Sequence, residues 1–278
     1  MYSFKLYNTK ISSFLDLSLF GIEKSTFNQA DVTIELSEKP IERKFNKDSH
    51  SIDDSFSHFS TKNLGLFEVI NGQLIRFSPV GKINKLDVIE SVLGFPMALC
   101  MSQRRHLVMH SSCVQYKGKN LLFCGASHAG KSTIAAFLSS KGGDIVSEDI
   151  SVIDNSSKIL PSGPYIKISR ESLNETNINA EFLKNSTRNR YVFKTKQLSN
   201  LKKSAEICIF LKWGDKTELK SMSLKHALDN LYSYCYLSSS SEDSKKIINF
   251  ISNIQFYELR MVKNFEKIEE VLNRIENI

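Results

Sequence analysis

Residues 125–132 contain two glycines, a lysine and a serine in the order Gly-x-x-x-x-Gly-Lys-Ser. This spacing lets backbone N–H groups surround an anion, because glycine allows the main chain to approach a ligand closely. The ammonium of Lys131 would meet the outer phosphates of a nucleotide, and the hydroxyl of Ser132 would ligate magnesium. The pattern therefore predicts a phosphate-binding loop. The residues expected to contact the nucleotide are Gly125, Ala126, Ser127, His128, Ala129, Gly130, Lys131, Ser132 and Thr133.

Two adjacent acids follow this loop along the chain. A phosphate cradle alone only binds, and phosphoryl transfer also needs an acid that holds a metal and a group that orients or deprotonates the acceptor. Glu148 and Asp149 lie within the strand-like segment "DIVSEDISVID". Because neighbouring residues on a strand point to opposite faces, both can serve only if the strand ends or twists there. One carboxylate would then face the metal and the other the acceptor; the alternative is a solvated pair at a strand end.

His110 is a further candidate, because it begins the strand predicted to pair with the strand before the loop. A histidine in such a place is more often a hydrogen-bonded structural residue than a catalyst. Both interpretations stay open on sequence alone.

The elements around the loop must place these groups together. The apolar run "NLLFC" ends directly at the loop and predicts a buried strand. After the loop, Ile134, Phe137 and Leu138 recur at helical spacing, and Gly142 and Gly143 stand where a helix would end. Strand, loop and helix follow in the order that the motif requires.

The segment "HSSCVQYKGKNLLFCGASHAGKSTIAAFLSSKGGDIVSED" resembles the catalytic core of the HPr kinase/phosphorylase superfamily. Its pattern is a histidine-led strand, a P-loop, a helix, a glycine turn and a paired acid, at the spacings found here. The resemblance implies an α/β fold with a P-loop kinase domain of the HPr kinase type. The family usually has Asp-Asp where this chain has Glu148-Asp149.

That resemblance also implies roles for the candidate residues. Lys131 would bind the phosphates of ATP, and Ser132 and Glu148 would hold magnesium. Asp149 would accept the proton of the substrate hydroxyl, with His110 beside it. The three residues expected to take part in catalysis are Asp149, His110 and Lys131.

The glycine-rich signature tied to phosphorolysis and to recognition of HPr is not recognisable after Asp149. In this the chain resembles the shorter kinase relatives found beside ribosomal-peptide biosynthesis genes, some of which phosphorylate a serine of a lasso-peptide precursor. The resemblance thus implies ATP- and magnesium-dependent transfer of the γ-phosphoryl group to a serine hydroxyl of a peptide. Two alternatives stay open: a kinase of free serine or another small alcohol, and a nucleotide-binding regulatory protein whose catalysis has lapsed.

Two domains are predicted. Residues 1–95 alternate short apolar runs with polar loops and indicate a smaller β-rich N-terminal module that binds the substrate, with a hairpin at Asn71-Gly72. The polar stretch 46–63 is expected to be an exposed loop. Residues 96–278 are expected to form the P-loop catalytic domain.

Composition excludes several classes of protein. The 278 residues are 41% hydrophobic, which supplies a sizeable core. The 37 basic and 30 acidic residues leave a net charge of +7 without a block of like charges, so an anionic ligand is compatible and no nucleic-acid partner is expected.

The sequence has no signal-like start and no stretch of transmembrane length, which predicts a cytoplasmic protein without a membrane partner. Assembly into a homo-oligomer is left open.

Overall fold

The computed structural model describes residues 1–38, 48–176, 181–185, 190–196, 204–237, 241–252 and 254–278. Within these ranges the chain is a mixed α/β protein with several sheets. The α/β class predicted from the sequence is therefore confirmed at this level.

The N-terminal part of the chain is a seven-stranded sheet of described residues, whose strands are β1 Tyr2–Leu6, β2 Thr9–Ser13, β3 Val32–Leu36, β4 Ser49–Ser51, β5 Phe56–Thr61, β6 Gly65–Ile70 and β7 Leu74–Pro79. Residues 71–73 join the sixth strand to the seventh, and Asn71 and Gly72 have φ of 53° and 62°, as the two central residues of a type I′ turn require, so the predicted hairpin is confirmed. Across the sheet the strands follow the order β1-β2-β3-β7-β6-β5-β4.

The polar stretch predicted as an exposed loop is partly sheet, because β4 and β5 lie inside it. Strand β5 pairs with β6 along its whole length, and Ser57 and Ser60 are buried. Small polar side chains fill these sheet positions, so hydropathy alone gave the wrong prediction for residues 49–51 and 56–61.

Two helices lead from this sheet to the loop region, α1 Lys85–Val92 and α2 Phe95–Gln103. The elements that follow are β8 Leu107–Met109, β9 Ser111–Tyr116, β10 Lys119–Cys124, α3 Lys131–Ser140 and β11 Asp144–Ser147. Strand β10 is the apolar run before the loop. Leu121 and Phe123 pack into one core cluster and Leu122 and Cys124 into another, as expected for a strand buried on both faces.

The next elements form small sheets beside the loop: β12 Ser151–Ile153, β13 Ile159–Leu160, β14 Tyr165–Ser169, α4 Arg170–Glu175, β15 Glu181–Asn185 and β16 Arg190–Lys194. Strand β14 pairs with β16, and β12 pairs with β8 and β13. The chain ends with β17 Ile207–Trp213, β18 Glu218–Ser221, α5 Leu224–Tyr234, α6 Ser241–Ile251, β19 Gln255–Met261 and α7 Ile268–Glu276.

A six-stranded sheet of order β11-β9-β10-β17-β19-β18 carries the loop. Strands β10, β17 and β19 are parallel, so their carboxyl ends meet at one edge, which is where open α/β sheets bind ligands. Helices α3 and α7 pack on one face of the sheet and α5 and α6 on the other. The candidate site therefore has a rigid three-layer support.

One core cluster runs across residue 95, since it joins Phe4 and Phe77 of the N-terminal sheet to Val108 and Val152. The division into domains at residue 95 stays a prediction. Among the described residues, none of the helices combines the length and the apolar character needed to cross a bilayer.

Candidate functional site

The loop between β10 and α3 needs glycine at both ends. A Cβ on Gly125 would lie 2.9 Å from the Cβ of Ala129 and 3.2 Å from the carbonyl oxygen of Leu211, so a larger residue would push the loop off the sheet. Gly130 has a φ of 94°, in the left-handed region that favours glycine, and directly precedes the first turn of α3. The backbone geometry of the loop thus explains why both positions of the motif are glycine.

The side chain of Lys131 folds back over the loop. Its Nζ donates hydrogen bonds to the carbonyl oxygens of Gly125, at 2.8 Å, and Ala126, at 2.9 Å. Burial lowers the pKa of Lys131, although Asp149 opposes this shift. An ammonium that is largely desolvated and held at the mouth of a loop is suited to bind an anion such as phosphate.

The acid pair lies in the turn between β11 and β12, and not on a strand as predicted. Strand β11 ends at Ser147, and Asp149 has a φ of 67°. This left-handed turn removes the alternation of a strand. It therefore lets both carboxylates approach the same ammonium, that of Lys167.

Glu148 joins the acid pair to the loop. The hydroxyl of Ser132 donates a hydrogen bond to Glu148 Oε1 at 3.0 Å. Glu148 Oε2 is buried and accepts no hydrogen bond within the described part of the chain, although Lys167 Nζ lies 3.4 Å away. Burial raises the pKa of Glu148, with Lys167 acting in the opposite direction.

Asp149 is held between two basic side chains. Lys167 Nζ lies 3.2 Å from its Oδ2, and His110 Nε2 lies 3.3 Å from its Oδ1. The charge of Lys167, with a contribution from His110, holds the pKa of Asp149 well below its ordinary value despite the opposing effect of burial. Asp149 is consequently ionised at neutral pH, and a third of its side chain is exposed.

Lys167, on β14, is the site residue that sequence reasoning missed. Its side chain is 5% exposed, and burial alone would lower its pKa, but Asp149 and Glu148 raise that pKa above the ordinary lysine value. The available signal was a lysine inside the apolar strand "YIKIS", because a buried charge requires a partner.

The loop opens into a cavity of about 1030 Å³. The predicted site residues that line it are His110, Ser127, His128, Gly130, Lys131, Ser132, Thr133 and Asp149. Thr133 also contacts α4, since its Oγ1 lies 2.8 Å from Ser172 Oγ. Gly125, Ala126, Ala129 and Glu148 are not among the residues that line it. Arg190, at the start of β16, also lines the cavity.

Neither a protein-family model nor a curated protein matches this sequence. Among solved structures, the Hpr(Ser) kinase/phosphatase from Coxiella burnetii is similar to this chain. The match covers 61% of this chain and 95% of that structure's chain, with a TM-score of 0.31 and 11% sequence identity. A likeness at this level supports no inference about activity.

Proposed function

We propose that this chain is an ATP- and magnesium-dependent kinase that transfers the γ-phosphoryl group to a serine hydroxyl. The observation that supports it most is a continuous line of contacts from the loop hydroxyl to the acceptor-side carboxylate. Its members are Ser132, Glu148, Lys167, Asp149 and His110. A protein that only binds nucleotide would not need an ionised Asp149 placed between the side chains of Lys167 and His110.

The residues present fit a nucleotide and a magnesium ion. Ser132 and Glu148 supply hard oxygen donors, and the buried Glu148 Oε2 is an acceptor without a hydrogen bond among the described residues. No group of three or more His, Cys, Asp or Glu in the described ranges is arranged to hold a metal. Magnesium does not require one, since it keeps several waters and takes phosphate oxygens as further ligands.

Ser132 and Glu148 would hold the magnesium ion, which when bound neutralises charge on the β- and γ-phosphates. Lys131 would turn its donors from the loop carbonyls to phosphate oxygens. Phosphoryl transfer depends chiefly on such positioning, because its transition state is loose and needs little covalent help from the protein.

Asp149 would orient the acceptor hydroxyl and take its proton. In that step the serine oxygen bonds to the γ-phosphorus, the bond to the bridging oxygen breaks, ADP leaves, and the proton passes to Asp149. A carboxylate with a lowered pKa is a weak base. Its main role is therefore to align the serine hydroxyl. It receives the proton late, because the hydroxyl proton becomes more acidic as the serine oxygen bonds to phosphorus.

We place the acceptor on a ribosomally made precursor peptide of the lasso type, as the resemblance of residues 110–149 implies. The N-terminal sheet approaches this region at Tyr7, which joins β1 to β2: its backbone N–H donates a hydrogen bond to the carbonyl oxygen of Pro161 at 3.2 Å, and burial, then Tyr165, Asp149 and Glu148, raise its pKa. A sheet beside the acceptor carboxylate offers more surface than a small alcohol needs, and sheet edges bind extended peptides by main-chain pairing.

Mass spectrometry of three incubations with ATP and magnesium tests this function. The acceptors are a short peptide encoded near the gene, free serine, and HPr. We expect a phosphate on a serine of the peptide and little on the other two. Phosphate on free serine alone would establish the small-molecule kinase instead, and no transfer with intact nucleotide binding would indicate lapsed catalysis.

Replacing Lys131 by alanine should remove most nucleotide affinity, because a charge-assisted phosphate contact contributes about 1.5–3 kcal/mol. Calorimetric titration with ATP measures the loss. Lys141→Ala, at the end of the same helix and paired with Glu269, is the matched control and should bind normally. Equal ATP affinity in the two variants would contradict the loop assignment.

Glu148→Gln should raise the magnesium concentration needed for half-maximal turnover by about tenfold or more, as weakened carboxylate support does at metal sites. Glu276→Gln, a carboxylate on α7 that pairs with Lys117, serves as the control. If magnesium dependence stays the same in Glu148→Gln, the metal ligand has been assigned to the wrong residue.

His110→Ala should slow transfer less than loss of Asp149 does, because His110 contacts the carboxylate and orients it without taking the proton. Single-turnover rates at saturating ATP give the comparison. A greater loss for His110→Ala than for Asp149→Asn would identify the histidine as the base.

A further inference from the structure

The two sides of the loop differ in chemistry. In the six-stranded sheet, the acid pair follows β11, which lies on one side of β10, whereas β17 and β19 lie on the other side. The carboxyl ends of β17 and β19 bring Trp213 and Met261 side by side in register. The cavity lining therefore includes the carboxylate of Asp149 on one side of the loop and large apolar side chains, Trp213 and Met261, on the other, where the charged Lys263 and Glu266 after β19 also line it.

Trp213 lies directly against the loop. A Cβ built on Gly130 would lie 3.5 Å from Trp213 Cη2 and 3.6 Å from Met261 Cε, so both side chains flank the last glycine of the motif. The indole Nε1 donates a hydrogen bond to the carbonyl oxygen of His128 at 3.3 Å, which fixes the ring relative to the loop.

The side chain of Trp213 is exposed at the carboxyl end of β17, as is that of Lys212 before it. Trp213 is 45% exposed, while its strand neighbours from Ile207 to Leu211 and its cross-strand partner Met261 are buried. A large aromatic side chain that is oriented by a hydrogen bond and still open to a cavity offers a stacking surface.

We propose that this side of the cavity is the nucleobase subsite, and that the base of a nucleoside triphosphate stacks on the indole of Trp213. A nucleoside triphosphate has one polyanionic and one flat aromatic end, and these match the two sides of the loop. With the γ-phosphate beside Glu148 and Asp149, the chain of phosphates crosses the loop and the base reaches β17 and β19. This subsite rests on the nucleotide binding proposed above.

Trp213 is the sole tryptophan of the chain, so its fluorescence reports on this position alone. The probes are ATP, which has a base, and inorganic tripolyphosphate, which has none, each titrated with magnesium and followed by fluorescence and calorimetry. We expect both to bind and only ATP to quench the indole strongly. Trp213→Leu should weaken ATP by about 5- to 100-fold, the effect of losing one base–aromatic stack, and leave tripolyphosphate affinity unchanged.

Two further variants separate stacking from structural support. Trp213→Phe keeps a ring and should retain most of the ATP affinity. Phe56→Leu removes an aromatic side chain of similar exposure, 46%, from the N-terminal sheet outside the cavity lining, and should bind ATP normally.

Three results would overturn the subsite. Equal weakening of ATP and tripolyphosphate in Trp213→Leu would mean that the indole only supports the loop through His128. Unchanged affinity for both would place the base elsewhere, with the phosphate loop still assigned correctly. Failure of the wild-type chain to bind either probe would remove the proposed nucleotide function together with the subsite.

Discussion

Replacing Asp149 by asparagine should reduce phosphoryl transfer by about 10²–10⁴-fold, the usual contribution of a positioned base. The amide cannot accept the proton of the acceptor hydroxyl, and it loses the charge that Lys167 and His110 now hold in place. ATP affinity should persist, because Lys131 and the loop amides do not depend on this carboxylate. Single-turnover transfer and calorimetric binding measure the two effects separately.

Asp154→Asn is the matched control for this prediction. Asp154 follows β12, and its Oδ1 accepts hydrogen bonds from the backbone of Ser156 and Lys158, which asparagine can also provide. Transfer by this variant should equal that of the wild type. A rate for Asp149→Asn close to that of the control would exclude Asp149 as the acceptor-side base.

Replacing Lys167 by methionine should lower the free energy of unfolding by about 3–5 kcal/mol, since removing one partner of a buried ion pair leaves an uncompensated buried charge. Here the side chain of Lys167 is 5% exposed, and its ammonium contacts one fully buried carboxylate and a second that is partly exposed. Urea unfolding at neutral pH measures the loss. Adding Glu148→Gln to the variant should restore part of the stability, because one unpaired charge is removed.

The decrease in the free energy of unfolding caused by Lys167→Met should also depend on pH. In the wild type the pKa of Asp149 is lowered, so its contribution to stability is present above about pH 4, the ordinary range of an aspartate, and is lost as pH falls further. Without Lys167, burial would raise both carboxyl pKa values, and the variant would regain stability as the acids protonate. Lys194→Met, on the neighbouring strand β16, is the control. An equally small decrease in the free energy of unfolding in Lys167→Met and Lys194→Met would contradict the assigned role of Lys167 as the partner of the buried acid pair.

The strand, loop and helix around residues 125–132 could be predicted from the sequence because their signals are local. An apolar strand, two glycines and apolar residues at helical spacing follow each other within one short segment, and β10 and α3 confirm the strand and the helix on either side of the loop. Phosphate binding by the loop stays a prediction. The acid pair was found for the same reason. Its placement on a strand was wrong, because the turn at Asp149 depends on a left-handed backbone that aspartate adopts only occasionally.

Lys167 and Trp213 could not be assigned from the sequence, because their roles depend on contacts between distant segments. Lys167 reaches the acid pair through the pairing of β14 with β16 and the packing of α4 beside the loop. Trp213 meets the loop only because β17 pairs in parallel with β10. The family resemblance, the division at residue 95 and the identity of the acceptor stay predictions.

Phosphorus NMR of the wild-type chain with ATP, magnesium and the neighbouring precursor peptide tests the central claim most directly. We predict that the γ-phosphate signal of ATP declines while ADP and a phosphomonoester signal on the peptide grow together, and that Asp149→Asn shows neither change. Persistent ATP, or its conversion to ADP and inorganic phosphate without a phosphomonoester, would contradict the assignment of this site as a kinase.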